Sequence, residues 1–310
     1  MTIPDPATLE HTVPGGVGHE ERIAMAVRCR DADRVPKVRR AGQVMPGPDG
    51  TPVQVMHNGV LVRAGGYHGA WMQDLIARCR GHHEPQEERM FHEVLRFLPP
   101  DAAMIELGGF WSYYTVWFLR RHRGRRAVVL EPDPAHLRLG EENARLNAVH
   151  PVFVPGFAAG VPSPPVPFET EDSGRLPVPG RSVPDLMGAH GIAHLHLLHC
   201  DVQGAEGNVL AGCEALFRAG RVGWVFASTH HHSITGDPLT HQRCLAILRR
   251  AGATVVAEHD VAESFSGDGL IVARFGPLPR RWRTPALSRN RYSESLFRNP
   301  LYDLALAQAR

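Results

Sequence analysis

Apolar and polar positions alternate with two different periods through the middle of the chain. Ala103–Leu107 is a short apolar run that ends at Glu106, Gly108 and Gly109. Tyr113–Arg121 then has helical character, with Tyr113, Val116, Trp117 and Leu119 among its large residues. Ala127–Leu130 is a second apolar run and ends at Glu131; Leu137, Leu139, Ala144 and Leu146 follow among polar residues. Strand, helix, strand, helix with short connections predicts parallel strands joined by right-handed crossovers.

The pattern continues downstream. Pro151–Val154, His194–Cys200, Val222–Ala227, Thr254–Ala257 and Gly269–Arg274 read as strands, and Ser182–Ala189, Ala205–Ala219 and Leu239–Ala251 as helices. The tight spacing of the last two strands predicts an antiparallel pair at the sheet edge. Val161–Gly180 carries prolines at 162, 164, 165, 167, 177 and 179, which predicts a long irregular loop beside the site. His230–Pro238 reads as a loop. Upstream, Glu20–Arg30 and Trp71–Cys79 read as helices, and Val53–Arg63 places two apolar runs around Asn58-Gly59, a hairpin signal. Gly81–Leu98 reads as a helix with Pro85 in its first turn and Glu84, Glu87 and Glu88 near its positive end. The expected organisation is an arm, hairpin and helix over 1–80, a binding domain over 81–276 and an Arg-rich tail over 277–310.

Composition adds bounds. A 310-residue chain with 43% hydrophobic residues supports a sizeable core. No run reaches the ~18 apolar residues of a membrane span, and MTIPDPATLEHTVPGG lacks the order of a signal peptide. A net charge of +2 suggests no nucleic-acid partner. Cys29, Cys79, Cys200, Cys213 and Cys244 are scattered and odd in number, which points to a reduced, cytoplasmic setting. The tail arginines, Arg280, Arg281, Arg283, Arg289, Arg291 and Arg298, read first as a solvated tail wrapping the domain or a neighbour.

The chemistry begins at the first strand end. Glycines there let a ligand approach the backbone, and Glu131, at the end of the next strand, stands where dinucleotide folds bind a ribose hydroxyl pair. Gly108 to Glu131 spans 131 − 108 = 23 positions, near the expected ~20. The site is therefore adenosine-type. Its loop is Gly-Gly-Phe-Trp-Ser rather than G-x-G-x-x-G, and Glu106 suits a cationic ligand such as S-adenosylmethionine (SAM) better than NAD.

MIELGGFWSYYTVWFL and VVLEPDPAHLRLGEENARLN together resemble the FkbM type of class I SAM-dependent methyltransferase, with Ser112 where that family usually has a third glycine. LHCDVQGAE extends the resemblance through Asp201, Gly204, Ala205 and Glu206, and with the DGLIVA edge strand it covers roughly residues 83–275. It implies a Rossmann-like α/β sheet of seven strands in order 3-2-1-4-5-7-6, carrying an N-terminal extension and a C-terminal tail. It also implies SAM held by Glu106, Gly108, Gly109, Ser112, Glu131, Pro132, Asp133 and Asp201, with His83, Gln86 and Glu87 toward the methionine end. The implied reaction is O-methylation of a hydroxyl on a sugar or other secondary metabolite.

Strands one, four and five should converge at their carboxyl ends. Asp201 and His230 are the candidate catalytic residues, since a hydroxyl must lose a proton to a positioned base. Gln203, Glu206, His231 and His241 are candidates for the acceptor side. His230, His231, His232 and His241 with Asp201 and Glu206 also admit a divalent-metal reading. No H-x-x-x-H or C-x-x-C spacing supports it, and it is not the favoured one. His194, His196 and His199 fall in a strand expected to be buried, as hydrogen-bonded core residues. Two other functions stay open: a nicotinamide-dependent oxidoreductase and a non-catalytic SAM-binding scaffold. The N-terminal hairpin and the tail are expected to form a lid or a homodimer contact around a small-molecule acceptor, with no membrane association.

Overall fold

The computed structural model describes residues 18–296; the first part of the arm and the end of the tail, with Arg298, lie outside them. In chain order the elements are α1 (His19–Arg28), β1 (Val44–Pro46), β2 (Pro52–Val55), β3 (Leu61–Arg63), α2 (Ala70–Arg78), α3 (Pro85–Leu95), β4 (Ala103–Leu107), α4 (Tyr113–Arg120), β5 (Arg126–Glu131), α5 (Pro134–Leu146) and β6 (Val152–Pro155). Then follow β7 (Phe157–Ala158), β8 (Ser163–Glu169), β9 (Arg175–Arg181), α6 (Val183–Ala189), β10 (Leu195–Cys200), α7 (Glu206–Gly212), α8 (Glu214–Arg218), β11 (Val222–Thr229), α9 (His232–Thr235), α10 (Thr240–Arg250), β12 (Thr254–His259) and β13 (Gly269–Arg274).

Seven strands form the central sheet in the order β12-β13-β11-β10-β4-β5-β6. Numbered within the sheet by sequence, this is the predicted 3-2-1-4-5-7-6. Only β13 runs against its neighbours, pairing antiparallel with both β11 and β12. Strands β4, β10 and β11 are buried along nearly their whole length, so their apolar runs are continuous rather than alternating. The period of two survives in which face each residue serves. Met104 enters one core with Phe91, Phe118 and Trp117, while Ile105 and Leu107 enter the other with Leu186, Leu210 and Leu248.

The upstream segment joins the first of these cores through Ile23, Met56, Val62 and Leu75. The Asn58-Gly59 hairpin forms as expected, pairing Val53 with Arg63 and Val55 with Leu61, and β1 adds a third strand. The tail wraps the domain: the Ser288 N–H and hydroxyl donate to Asp31, Arg289 pairs with Glu258 and Glu263, and Trp282 packs on Trp224. All five cysteines are free. No helix among the described residues is long and apolar enough to cross a membrane.

Three expectations are corrected. The proline-rich segment is not irregular: β8 and β9 form an antiparallel hairpin, with Pro165 facing Pro179 and Pro167 facing Pro177. The Thr170 N–H donates to the Gly174 carbonyl, so Thr170–Gly174 is a hydrogen-bonded pair. Alternation then puts both proline pairs at sites where no N–H is needed across the ladder. The helix expected over Ala205–Ala219 breaks at Cys213 into α7 and α8. A Cβ on the neighbouring Gly212 would lie 2.4 Å from the Gly160 carbonyl oxygen, so the backbones touch there. Finally, His194 precedes β10 and is exposed, His196 is half-buried and accepts the Ala103 N–H, and only His199 is buried.

Candidate active site

The sheet order reverses between β4 and β10, and a cavity of about 470 Å³ opens beyond their carboxyl ends. Gly108 and Gly109 both donate to the Leu130 carbonyl as the chain turns off β4. Gly108 has φ +76°, and a Cβ there would lie 1.7 Å from the Asp201 carbonyl oxygen; one on Gly109 would lie 2.2 Å from Val129 Cγ1. No side chain fits at either position. Ser112 takes a left-handed conformation at φ 56°. Its hydroxyl is buried without a partner against Gly140, so it shapes the turn and does not line the cavity.

Glu131 ends β5 and accepts the Phe110 and Asp133 N–H groups, each at 2.9 Å, one on each oxygen. Asp133 caps α5 through the Ala135 N–H. It also accepts the Asp172 and Ser173 N–H groups from the β8–β9 turn, so the proline hairpin is tied to the site. Burial disfavours its charge, but these donors outweigh burial and hold the carboxyl at about 2. Phe110 stacks on His136 with ring centroids 3.4 Å apart. Pro132, Phe157 and Phe168 complete this end.

The opposite end is acidic and buried. Burial pushes Glu106, at the end of β4, up to about 7 against its bond from the Thr115 N–H at 3.2 Å. His83 lines the cavity between Glu84 (3.1 Å) and Glu88 (2.7 Å); burial opposes its charge, yet the two carboxylates raise it to about 10. Glu87 does not line the cavity. It holds His199, which does, at 2.6 Å and accepts the Ser228 hydroxyl at 2.9 Å. That bond raises His199 to about 9 despite burial. Gln86 points elsewhere: its amide bonds the Ser288 carbonyl and the Phe265 N–H, so it anchors the tail.

Asp201 and Gln203 line the cavity from the loop after β10, Gln203 at φ +50°. Glu206 is fully buried, accepts the Gly204 N–H and takes His230 Nδ1 at 2.8 Å, so it organises the loop from behind. His230 Nε2 lies 3.1 Å from Asp201 and 3.6 Å from Asp268. Burial opposes a charge on this ring, but three carboxylates surround it and raise its pKa well above the usual value. His231 caps α9, and His241 bonds Thr229 and Glu258; neither lines the cavity. Of the histidines expected to cluster, His231 and His232 lie with ring centroids 3.8 Å apart, while His230 and His241 each hold their own carboxylates. Among the described residues, His57, His82 and Glu88 are the group whose potential metal-ligand atoms converge, and Glu88 there already accepts from His82, His83 and Tyr113.

Sequence reasoning missed Asp268, Glu84, His136 and Tyr67. Asp268 sits in Gly267-Asp268-Gly269 just before β13, with Gly267 at φ +119°. That glycine-flanked acid at a strand start was the available signal. Burial pushes the Asp268 carboxyl up to about 7, and the charged His230 beside it limits the rise.

The Methyltransferase FkbM domain matches residues 100–255, half of the chain. The chain belongs to the FkbM methyltransferase domain family. No curated protein matches it. Among solved structures this FkbM protein is similar to a precorrin-6y C5,15-methyltransferase from Geobacter metallireducens GS-15, at 13% identity over 60% of this chain and 86% of that one, with a TM-score of 0.40. It is also similar to M. capricolum TrmK in complex with S-adenosyl-homocysteine, at 8% identity over 63% and 71%, with a TM-score of 0.39. A TehB-like SAM-dependent methyltransferase from Corynebacterium glutamicum matches at 10% over 60% and 86%, with a TM-score of 0.38.

The FkbM family implies SAM, and the cavity fits it. Glu84, Glu106, Glu131, Asp133, Glu169, Glu171 and Asp201 line the cavity, and none of its lining residues is Lys or Arg. Such a wall favours a cationic ligand. The glycine turn would pass beneath it, and Glu131 keeps lone pairs for ribose hydroxyls.

Proposed function

We propose that this protein methylates a hydroxyl of a small-molecule acceptor, a sugar or other secondary metabolite, beside Asp201 of the cavity, from which His230 leads to Asp268 just outside its wall. When bound, SAM supplies an electrophilic methyl group on a sulfonium. Glu131 and Asp133 would hold the ribose side, with Phe110 and His136 beside the base, and Glu106, His83 and Glu84 would face the cationic end.

The observation that carries the reading is the pair Asp201 and Asp268, both at Nε2 of one charged imidazole. His230, already protonated, cannot accept another proton, so the base role falls to a carboxylate. Asp268, at about 7, is matched to that task near neutral pH. In-line transfer forms the acceptor O–C bond and breaks the C–S bond, whose electron pair stays on sulfur; the hydroxyl proton goes to Asp268. Asp201 and Gln203 orient the acceptor. A nicotinamide cofactor is disfavoured because its pyrophosphate would meet seven carboxylates with no Lys or Arg to receive it.

Calorimetric titration with SAM and S-adenosylhomocysteine, on wild type and Glu131→Ala, tests the reading. Wild type is expected to bind both, with Glu131→Ala about 100-fold weaker, the loss of roughly two hydrogen bonds to a charged group. Label from methyl-tritiated SAM is expected in an ether on a hydroxylated acceptor. Absence of binding to wild type, or a variant that binds equally well, would reject it. Binding without transfer to any hydroxyl would favour the scaffold reading.

A further inference from the structure

A second cavity, about 150 Å³, lies against the first and shares Tyr67, His68, His83 and Glu84 with it. Segments outside the matched family domain build it: α1, α2 and the loop before β13. Met72, Leu75 and Phe265 give it an apolar wall, and Asp268 lies at its edge. Asp268 contacts His230, and His230 contacts Asp201 of the larger cavity. A cavity of about 150 Å³ takes roughly one six-membered ring and is well below a drug-sized site.

One residue stands out by charge. Among the described residues, Arg22 is the only Arg or Lys lining either cavity, beside eight carboxylates once Asp268 is added to the seven. Its guanidinium has no carboxylate or hydrogen-bond partner among the described residues, although acids are plentiful. It is half-buried and lies 5.7 Å from the centre of the Trp71 ring, which holds it while leaving its N–H groups to solvent or a ligand. Its field is felt by His68, whereas Asp268 is felt by His230. The cavity is thus lined by one guanidinium and by the carboxylates of Glu84 and Asp268, with Met72, Leu75 and Phe265 as its apolar surface.

We propose that this cavity is the acceptor subsite and that it takes a small single-ring hydroxy compound bearing an oxyanion, a carboxylate or a phosphate, which Arg22 binds. The inference rests on the methyltransferase reading. The planar fork of Arg22 suits either anion. Anchoring the anion there directs the far side of the ring toward Asp268, where a hydroxyl would lose its proton. The family domain then supplies the methyl-donor site, and the N-terminal helices supply acceptor choice.

The test uses the full chain saturated with S-adenosylhomocysteine and calorimetric titration of matched pairs. These are 4-hydroxybenzoate against 4-hydroxybenzamide, glucuronate against glucose, and glucose 6-phosphate against glucose. At least one anion should bind at least about tenfold tighter than its neutral partner, which also tells carboxylate from phosphate. Arg22→Gln should abolish that margin and leave S-adenosylhomocysteine affinity within about threefold; Arg22→Lys should restore part of it. Retained cofactor binding reports that the variants fold. Equal binding of anion and neutral partner, no binding by any anion, or a margin that survives in Arg22→Gln would overturn the proposal. Equal weakening of cofactor and acceptor in Arg22→Gln would also overturn it, by assigning Arg22 to the cofactor carboxylate. Wild-type protein that binds no S-adenosylhomocysteine would remove the methyltransferase reading instead.

Discussion

Two sets of carboxylates serve the same site in opposite electrostatic states. Asp133 is 1% exposed and Glu106 is 3% exposed, but Glu106 lies far deeper in the protein, where its charge is costlier. Donors widen the gap. Asp133 accepts three backbone N–H groups and the Ser173 hydroxyl and sits at about 2. Glu106 receives one N–H, from Thr115, and rises to about 7. Asp268 is buried with a charged imidazole at 3.6 Å and the Asp201, Glu84 and Glu87 carboxylates against it, and also rises to about 7. Backbone amides make the first end a fixed anion, suited to holding hydroxyls and unable to exchange protons near neutrality. The second end, short of donors, can exchange a proton in the range where a base is useful.

The largest break in this comparison would come from Gly108→Ala. Its Cβ would overlap the Asp201 carbonyl oxygen, at a φ that L-residues rarely adopt. Binding of S-adenosylhomocysteine should be lost, and thermal melting should show a destabilisation of roughly 3 kcal/mol. Unchanged binding would mean that the turn is not the cofactor cradle.

Asp268→Asn should separate the two ends. The expected loss in kcat is about 10²- to 10³-fold, within the span of general base catalysis, with cofactor affinity within about threefold. The pH profile supplies the sign. Asp268 must be ionised to act, so wild-type kcat/KM should fall tenfold per unit as pH drops below about 7 and level off above it. The variant should lack that limb. A variant that keeps both rate and limb would move the base to Asp201.

The fixed-anion end was largely legible in the sequence because its parts are local. Gly108 and Gly109 follow β4, and Glu131 and Asp133 close β5, so strand ends and spacing placed them together. The titrating end was only half legible. Asp268 reaches His230 through the antiparallel pairing of β13 with β11, a long-range contact that no local period encodes. Gln86 sits at the right helix start, but the tail 202 residues away claims its amide. The prolines of β8 and β9 looked disruptive one strand at a time; their harmlessness depends on facing each other across the hairpin. His230 was found, but not that three carboxylates would keep it charged.

The smallest effect sharpens the comparison through stability alone. The folded-state pKa of Glu106 is raised to about 7, above the unfolded value near ~4.3. Its contribution is therefore fully present below pH ~4 and is lost as pH rises through 7, because unfolding releases a buried acid that would rather ionise in water. Asp133 has the reverse sign: depressed to about 2, it contributes above pH ~4 and is lost only as pH falls through 2. Denaturant melts at pH 5 and pH 7, without ligand, should show wild type losing about 2 kcal/mol relative to Glu106→Gln over that interval. The Gln variant keeps the shape and an acceptor for the Thr115 N–H but cannot ionise, so the other titrations largely cancel in the difference. A difference that stays flat with pH would mean that Glu106 is ionised throughout, and the contrast between the two ends would then rest on Asp268 alone.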